Sequence, residues 1–429
     1  MPNPRSCGIT ATVLTDAAVQ DLTAIIDSRQ DELIEFTREL VATPSETPPG
    51  DERKIAALIL HRLESLGLDG GLSVGEIEER PNVLYRLKGI GGGPTLLYNA
   101  HTDTKPVGDA REQWETDPFE PTIRDGRLYG VGSADMKAAV AAFVYAAYAL
   151  KQLDPLRGDL LLALVADEEG GGRYGSHFLA AKYGLKADMA LIGEPPGITK
   201  EWEYLHIGCR GVCCFTIGVR GTQMHSSLSD RLPSVNASLK MADLMLRMSR
   251  EFDIRYQPHP LCPNGVTVNL GVQVKGGVYF GVYPGYAEFS TDIRTLPGMK
   301  KEELAQDIRR FLEQRQREDP SLQVELRFRA EPADWIAPTE VSQDLPIVTA
   351  LSNASECVLG FRPPLSLYPA GTDAPKLQLI AGIPTVPAFG AGMISLAHGA
   401  NEWVGVESII QACKIYALAA SDVLNGAHG

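Results

Sequence analysis

The segment Leu160–Gly175, with the sequence LLLALVADEEGGGRYG, most strongly constrains how this chain folds. Its first part, Leu160–Ala166, is an unbroken apolar run, which is typical of a strand buried on both faces of a sheet. Asp167, Glu168 and Glu169 follow at once, and then a glycine run. Adjacent carboxylates at the end of a buried strand repel one another and lose hydration, so the sequence implies a bound cation. A solvated acidic turn is the alternative interpretation.

Length and charge limit the class of protein. A chain of 429 residues with 44% hydrophobic content predicts two domains with substantial cores. The 40 Lys and Arg residues against 54 Asp and Glu residues give a formal net charge of -14. This charge argues against nucleic acids and anionic membranes as partners.

Cysteine usage and hydropathy predict a cytoplasmic protein. The seven Cys residues lack paired metal-ligand spacing, which fits reduced structural thiols in a cytosolic protein. The most apolar window, Ala138–Leu150, is too short to span a bilayer. We therefore expect a soluble chain without a membrane segment.

The first 210 residues alternate predicted helices and strands, which indicates an α/β domain with a mixed, largely parallel sheet flanked by helices. Residues 16–41 have helical apolar spacing, and Ser28 with Asp31 predicts a capping box between two helices. Strands predicted at 81–87 and 95–99 are separated by KGIGGGP, which we interpret as a flexible hairpin turn.

The pattern changes from about residue 211. GVCCFTIGVRG, GVTVNLGVQVKGG, YAEFSTDIR and LQVELRFRA are predicted strands, and two predicted helices lie among them. This set forms a smaller α+β unit that is inserted into the first domain. The predicted organisation is a catalytic domain at 1–210, an inserted domain at 211–331, and the rest of the catalytic domain at 332–429.

Acidic and imidazole side chains follow several predicted strands of the first domain. Open α/β sheets bind ligands at the carboxyl edge of their strands, so we expect these groups to meet there. Imidazole with carboxylates suits zinc, and a shared carboxylate suits two ions about 3.5 to 4 Å apart. Asp103 is spaced to orient the imidazole of His101 through its second ring nitrogen. The candidates are His101, Asp103, Asp135, Glu168, Glu169 and Glu194.

A nucleotide site is the competing interpretation of the glycine run. Gly170–Gly175, GGGRYG, satisfies G-x-G-x-x-G between a strand and a helix, which would suit an NAD(P)-binding oxidoreductase. Glu168 and Glu169 would direct negative charge at the pyrophosphate, and the function of His101 and His398 would stay unexplained. The metal site is therefore the favoured hypothesis.

Several motifs occur in the order and spacing of a known family. They are YNAHTDTKPVGD, YGVGSADMKAA, VADEEGGG, LIGEP, GTDAPKLQLIAGIPTVPAFGAG and AHGANEW. With these motifs, nearly the whole chain resembles the two-zinc amidohydrolases that include acetylornithine deacetylase, succinyl-diaminopimelate desuccinylase, aminoacylase and carboxypeptidase G. The resemblance implies that the inserted domain is a lid and dimerisation domain, and that the protein is a homodimer.

The resemblance also implies metal ligands and a catalytic base. Two zinc ions, which cobalt or manganese could replace, would be held by His101 with Glu194 and by Glu169 with His398, and Asp135 would bridge them. Glu168 would act as general base on a metal-bridging water and then protonate the departing amine, while Asp103 would support catalysis. A cis peptide bond is implied between Asp135 and Met136.

We predict metal-dependent hydrolysis of an amide bond in an N-acyl amino acid or a similar small amide that bears a carboxylate. A zinc carboxypeptidase or dipeptidase is the alternative within the enzymes. A metal-binding protein without catalysis is disfavoured, because binding alone would not need Glu168.

The expected substrate contacts show departures from the family. Arg294, whose guanidinium fork suits a carboxylate, and Gly371 with Thr372 are the candidate substrate-binding residues. Gly281 stands where the family commonly has Asn, which removes an expected polar contact. The surrounding sequence GVYFGVYPGY is aromatic, and we interpret its rings as core of the lid sheet in preference to an aromatic acyl pocket.

His225 is the remaining candidate. From local sequence alone it is interpreted as a surface His beside a helix start. The resemblance favours a different role, because its members commonly carry a His in this Gly-x-x-x-His-Ser setting that reaches the active site of the partner subunit. There it would donate a hydrogen bond to the substrate oxyanion.

Overall fold

The computed structural model describes residues 15–153, 155–329 and 334–426, and the chain forms two compact units. The first unit contains the chain up to residue 208, residues 340–368 and the chain from residue 372. The second unit contains residues 209–339 and 369–371. The predicted boundary at 331/332 lies outside the described residues.

A six-stranded sheet forms the centre of the first unit. In spatial order its strands are Leu72–Val74, Asn82–Leu87, Asp159–Val165, Thr95–His101, Met189–Ile192 and Thr385–Val386. The first two pairs of neighbours are antiparallel and the other three pairs are parallel. The prediction of a mixed, largely parallel sheet is therefore confirmed.

The strand Asp159–Val165 lies inside this sheet and explains the apolar run of the sequence. Its residues from Leu160 onward are buried, because strands pair with it on both edges and helices cover the sheet. The Ala-rich helix Ala138–Lys151 packs closely against the helix Val406–Asn425, and the rings of Phe143 and Tyr416 meet with centroids 4.5 Å apart.

The interpretation of KGIGGGP as a hairpin turn is wrong. The two strands that it connects are not paired, because Asp159–Val165 lies between them. The connection passes so close to the backbone of residues 156–158 that a Cβ atom on Gly89 would overlap the carbonyl oxygen of Gly158. The glycines therefore permit a close approach of two chain segments.

The two helices at residues 16–41 occur where apolar spacing predicted them. The capping box is wrong, because Ser28 follows the first helix and its hydroxyl donates to Ile25 O, while the second helix has no side-chain cap. The helices are Asp16–Asp27, Gln30–Val41, Arg53–Ser65, Ala138–Lys151, Ser176–Phe178 continued by Leu179–Tyr183, Pro346–Leu359 and Val406–Asn425, with single turns at Gly108–Gln113, Ser133–Lys137, Lys376–Ile380 and Ile394–Leu396. Short strands lie at Thr122–Arg124, Arg127–Tyr129, Leu205–Cys209, Thr339–Glu340, Leu365–Tyr368 and Trp403–Gly405.

The second unit is an antiparallel sheet with two helices, which confirms the predicted α+β class. Its main strands lie in the order Thr267–Gly276, Tyr286–Thr295, Gly211–Arg220 and Gln323–Phe328. Alternate residues of Gly211–Arg220 are buried in a core shared with the helices, as the period of a strand requires. The helices are Ala237–Glu251 and Lys301–Glu318, with a turn at Ser226–Leu228 and short strands at Met224–His225, Val282–Tyr283 and Trp335–Ile336.

Among the described residues, no helix has both the length and the apolar character needed to cross a membrane.

The close passage at Gly89 predicts a stability defect. Gly89→Ala should lower the free energy of unfolding by about 1 to 3 kcal/mol, because the added methyl group forces two backbones apart. Urea unfolding at equilibrium measures this change. Lys88→Ala, on an exposed neighbour, is the matched control and should stay within about 0.5 kcal/mol of the wild type. Equal stability of the two variants would contradict the packing role of Gly89.

Candidate metal centre

The carboxyl ends of three neighbouring parallel strands bring candidate residues together in the first unit. His101 is the last residue of its strand, Glu168 and Glu169 follow Asp159–Val165, and Glu194 follows Met189–Ile192. Because parallel strands end at the same edge of a sheet, these side chains share one surface. Asp135 and His398 reach the same place from loops.

Among the described residues, two groups of three side chains are close enough to hold metal ions. His101, Asp135 and Glu194 form one group and Asp135, Glu169 and His398 form the other, with one ligand atom from each residue within 4.8 Å of the others. Asp135 belongs to both groups: its Oδ1 lies 2.9 Å from His101 Nε2 and its Oδ2 lies 3.4 Å from His398 Nε2.

Burial and charge change the pKa values in this cluster. Burial, and then the charge of Asp135, raise the pKa of Glu194 well above its usual range. Burial alone would raise the pKa of Asp135 too, but hydrogen bonds from His101 and His398 outweigh it and lower that pKa. Hydrogen bonds to Asp135 and then Glu169 raise the pKa of His398 to about 10. These shifts show that the buried acids lack positive charge around them, which divalent cations would supply because imidazole and carboxylate donors suit them.

The contacts of Asp103 differ from the expected ones. The second nitrogen of His101, Nδ1, lies 2.9 Å from the backbone carbonyl oxygen of Asp103 and 3.7 Å from its carboxylate. The carboxylate instead accepts hydrogen bonds from the backbone N–H groups of Glu168, at 3.0 Å, and Glu169, at 3.2 Å. Asp103 therefore orients the imidazole through its main chain and fixes the two acids through its side chain.

The three consecutive acids have three different environments. Asp167 turns away and accepts a hydrogen bond from Arg80 at 2.9 Å, which its left-handed backbone at φ 65° permits. Glu169 pairs with His398 at 2.8 Å and with Lys105 at 3.1 Å. Glu168 is half-buried, and burial together with the charge of Asp373 raises its pKa to about 8. Glu168 is thus the acid of the three whose environment favours carrying a proton.

A buried acid holds the loop of Asp135. The carboxylate of Glu402 accepts hydrogen bonds from the backbone N–H groups of Gly132 at 2.9 Å, Ala134 at 2.8 Å and Asp135 at 3.0 Å. The peptide bond between Asp135 and Met136 is cis, as the family resemblance implied.

A buried arginine lies behind the acids. Arg80 contacts Glu52 at 2.8 Å, Asp167 at 2.9 Å and Thr47 at 3.0 Å. Burial and the charge of Asp103 raise the pKa of Glu52 to about 7. Sequence reasoning missed both Arg80 and Glu402, because single charged residues in loops carry no periodic signal. The position of Glu402 in the AHGANEW motif was the one available indication.

The GTDAP segment lies beside Glu168. Thr372 is buried, and its hydroxyl accepts a hydrogen bond from Ala374 N at 3.1 Å. The buried carboxylate of Asp373 accepts hydrogen bonds from Ser176 and from Lys376, the latter at 2.6 Å. A narrow cleft opens next to Asp135, Glu169 and His398, and its lining includes Val107 and Trp114.

The second unit carries the other predicted residues. His225 is exposed, and its Nδ1 accepts a hydrogen bond from Ser227 N at 3.3 Å. Arg294 pairs with Asp292 through Nε at 3.1 Å and Nη2 at 3.2 Å. Gly371 is half-buried, and Ile336 is the residue nearest to where its Cβ would lie.

The preferred interpretation of the aromatic segment is wrong for two of its rings. Tyr279 is 77% exposed and Phe280 is 92% exposed, so neither belongs to the core of the sheet. Tyr283 and Tyr286 are half-buried. The alternation that buries one face of a strand does not extend to Tyr279 and Phe280, because they lie in the turn between strands.

The glycine run forms a turn around Asp167. Gly170 N donates to Asp167 O at 3.2 Å, and Tyr174 N donates to the Asp167 carboxylate at 3.0 Å. Gly171 and Gly172 have positive φ values of 113° and 72°, which glycine adopts without strain. These backbone groups form a turn that satisfies Asp167, which accounts for the motif without a nucleotide.

Comparison with known proteins identifies the family. Residues 97–422 match Peptidase family M20/M25/M40. A succinyl-diaminopimelate desuccinylase of Stenotrophomonas maltophilia (strain K279a) is 34% identical over 289 residues, which are 66% of this chain and 73% of the relative. One of Nitrosomonas eutropha is 30% identical over 395 residues, which are 90% of this chain and 96% of the relative.

Solved structures share the fold. A metallo-carboxypeptidase of the M20 family from Sulfolobus solfataricus has a TM-score of 0.71 at 20% identity, covering 91% of this chain and 99% of its own. A dipeptidase from Saccharomyces cerevisiae has a TM-score of 0.73 at 16% identity, covering 96% of this chain and 100% of its own. The family resemblance is thereby confirmed, and the oxidoreductase alternative is wrong. The chain belongs to Peptidase family M20/M25/M40 and is a metal-dependent hydrolase of amide bonds.

Proposed function

We propose that this enzyme removes the acyl group from N-acyl amino acids or similar small amides that bear a carboxylate, using two zinc ions and Glu168 as general base. The observation that carries the proposal is the pair of three-residue groups that share Asp135. A shared carboxylate is the donor arrangement that suits two cations close together. Bound there, such cations polarise a carbonyl group and lower the pKa of water.

In the proposed mechanism, Glu168 transfers the proton. Glu168 is outside both three-residue groups, so its carboxylate stays available to take a proton from the attacking water. The same carboxyl group then gives that proton to the departing amine as the C–N bond breaks. A pKa near 8, raised by burial and by Asp373, suits a group that both accepts and returns a proton near neutral pH.

The relatives support an N-acyl amino acid as the substrate class. The relatives named above are desuccinylases, whereas the neighbours in fold are a carboxypeptidase and a dipeptidase. Peptide cleavage is therefore the second candidate. Arg294 would hold the substrate carboxylate through its guanidinium fork, in competition with Asp292, and Gly371 and Thr372 would line the site.

Exposed apolar side chains of the second unit support a homodimer. Leu239 and Leu246, spaced by two helical turns, are 69% and 54% exposed, and Val272 and Val274 on the edge strand Thr267–Gly276 are 53% and 54% exposed. An edge strand has unpaired backbone groups that a second copy can satisfy by strand pairing. The second copy would also bury these side chains.

The exposure of His225 supports a role for it in catalysis. Its Nδ1 lies 3.3 Å from Ser227 N and 2.8 Å from Ser227 Oγ, and its Nε2 takes no part in these contacts. An outward Nε2–H is the donor that an oxyanion on the substrate carbonyl requires. In the dimer this donor would act in the active site of the partner subunit.

Replacement of the base tests the proposed mechanism. Glu168→Gln should keep both metal ions and lose about 10²-fold to 10⁴-fold in turnover, because the isosteric amide cannot accept the proton. Turnover of N-acetyl, N-succinyl and N-carbamoyl amino acids beside dipeptides, together with metal analysis, measures both properties. Asp135→Ala is the contrast, since loss of the shared carboxylate should empty both sites. Loss of metal from Glu168→Gln would make Glu168 a ligand.

The support of Asp135 by Glu402 predicts an effect on metal affinity. Glu402→Gln replaces an acceptor oxygen by an NH2 group that faces backbone N–H donors, so the loop of Asp135 should shift. Chelator competition should then report an affinity for zinc about 10-fold to 100-fold weaker. Glu407→Gln, on an exposed residue of the last helix, is the control and should bind like the wild type. Wild-type affinity in Glu402→Gln would remove Glu402 from the supporting contacts.

Action of His225 across the dimer predicts complementation between two inactive variants. His225→Ala should lose about 10²-fold in turnover with little change in zinc content. Mixed after dissociation with Glu168→Gln subunits, it forms heterodimers in which one site has both groups and the other has neither. Activity should return to a substantial fraction of wild type. Verified heterodimers without recovered activity would rule out action across the dimer.

A further inference from the structure

An apolar turn projects into solvent from the second unit. It consists of Val278, Tyr279 and Phe280, which we call the aromatic tip, and their exposed fractions are 70%, 77% and 92%. Single exposed apolar residues are common on proteins, but three in succession indicate a contact surface. A Phe side chain left in water forgoes the free energy of its burial, so this position has a use other than stability.

Hydrogen bonds on both sides hold the aromatic tip in one conformation. Gly277 N donates to Tyr286 O at 3.2 Å, and Val282 N donates to Tyr279 O at 3.2 Å. The rings of Tyr279 and Phe280 contact each other edge to face, with centroids 5.8 Å apart. A turn that is already ordered loses little entropy when it binds a ligand.

The same backbone connects the aromatic tip to His225. The strand Met224–His225 pairs with Val282–Tyr283, and His225 lies opposite Val282. Ser226 N, the next residue along, donates to Gly281 O at 2.9 Å. The tip therefore lies close to any substrate that His225 contacts.

The chemistry of the tip defines what it can recognise. Residues 276–287, GGVYFGVYPGYA, contain no charged side chain, and Gly281 offers no side chain at all. The rings of Tyr279 and Phe280 suit apolar and aromatic groups, and they give no compensation for the desolvation of a carboxylate.

We propose that the aromatic tip contacts the substrate beside the scissile amide and makes the enzyme selective for substrates with an apolar or aromatic group there. This inference rests on the proposed function, in particular on His225 at the substrate carbonyl. The substrate class becomes N-acyl amino acids or dipeptides with a large uncharged side chain or acyl group, in place of a charged acyl group such as succinyl.

Matched substrates test the inference. N-acetyl-L-phenylalanine against N-acetyl-L-alanine varies the amine side, and N-benzoyl-L-alanine against N-acetyl-L-alanine varies the acyl side. For the wild type, kcat/KM should be higher for the aromatic member of at least one pair. In the variant with Tyr279→Ala and Phe280→Ala, that ratio should fall about 10-fold or more, with kcat/KM for N-acetyl-L-alanine nearly unchanged.

Controls separate the possible failures. Tyr183→Ala removes an aromatic ring that is 45% exposed in the first unit, and it should leave every ratio unchanged. Equal losses on all substrates, or unchanged ratios in the tip variant, overturn the inference while the proposed function stands. Hydrolysis of none of the substrates by the metal-loaded wild type overturns the proposed function itself. A tip variant that sediments as a monomer and keeps the wild-type ratios makes the tip a contact between copies.

Discussion

The sharing of Asp135 between two groups of ligands is the constraint on which the rest of the site depends. One carboxylate oxygen lies 2.9 Å from His101 and the other lies 3.4 Å from His398, so a small rotation of this side chain would break both groups. Its position therefore has to be fixed by neighbours that are themselves fixed. The backbone N–H groups around Asp135 meet this need by donating to Glu402, which is 2% exposed.

Buried charge supports the site on its other side. Arg80 is 6% exposed and neutralises Glu52 and Asp167, while Asp103 accepts the backbone N–H groups of Glu168 and Glu169. Burying a carboxylate costs free energy unless a cation or a hydrogen-bond donor contacts it. Each of these buried acids has such a partner. The consequence is that the main chain holds Glu168 and Glu169, so their side chains do not have to anchor the turn.

The sequence predicted the first unit well because the signals there are local and periodic. A buried parallel strand appears in the sequence as an apolar run, and the end of the run marks the edge of the sheet. The sequence alone could therefore place His101, Glu169 and Glu194 together. His398 was assigned as a metal ligand only through the family resemblance, since it lies in a loop. The KGIGGGP error has a physical cause: glycine permits a tight turn and a close passage equally well, and only the position of Asp159–Val165 decides between them.

The segment around Gly281 was harder to interpret, because composition cannot distinguish a buried ring from one at a turn. The strand pairing decides it: Tyr283 and Tyr286 lie on paired strands, whereas Tyr279 and Phe280 lie in the turn between Thr267–Gly276 and Val282–Tyr283. The ligand groups of the first unit suit amide hydrolysis in general and do not select a side chain of the substrate. Chains with similar metal ligands can therefore differ in specificity through residues elsewhere, and in this chain the uncharged segment 276–287 is the candidate. The exposed, uncharged turn at Val278, Tyr279 and Phe280 is therefore what directs the search for its substrate toward large uncharged groups.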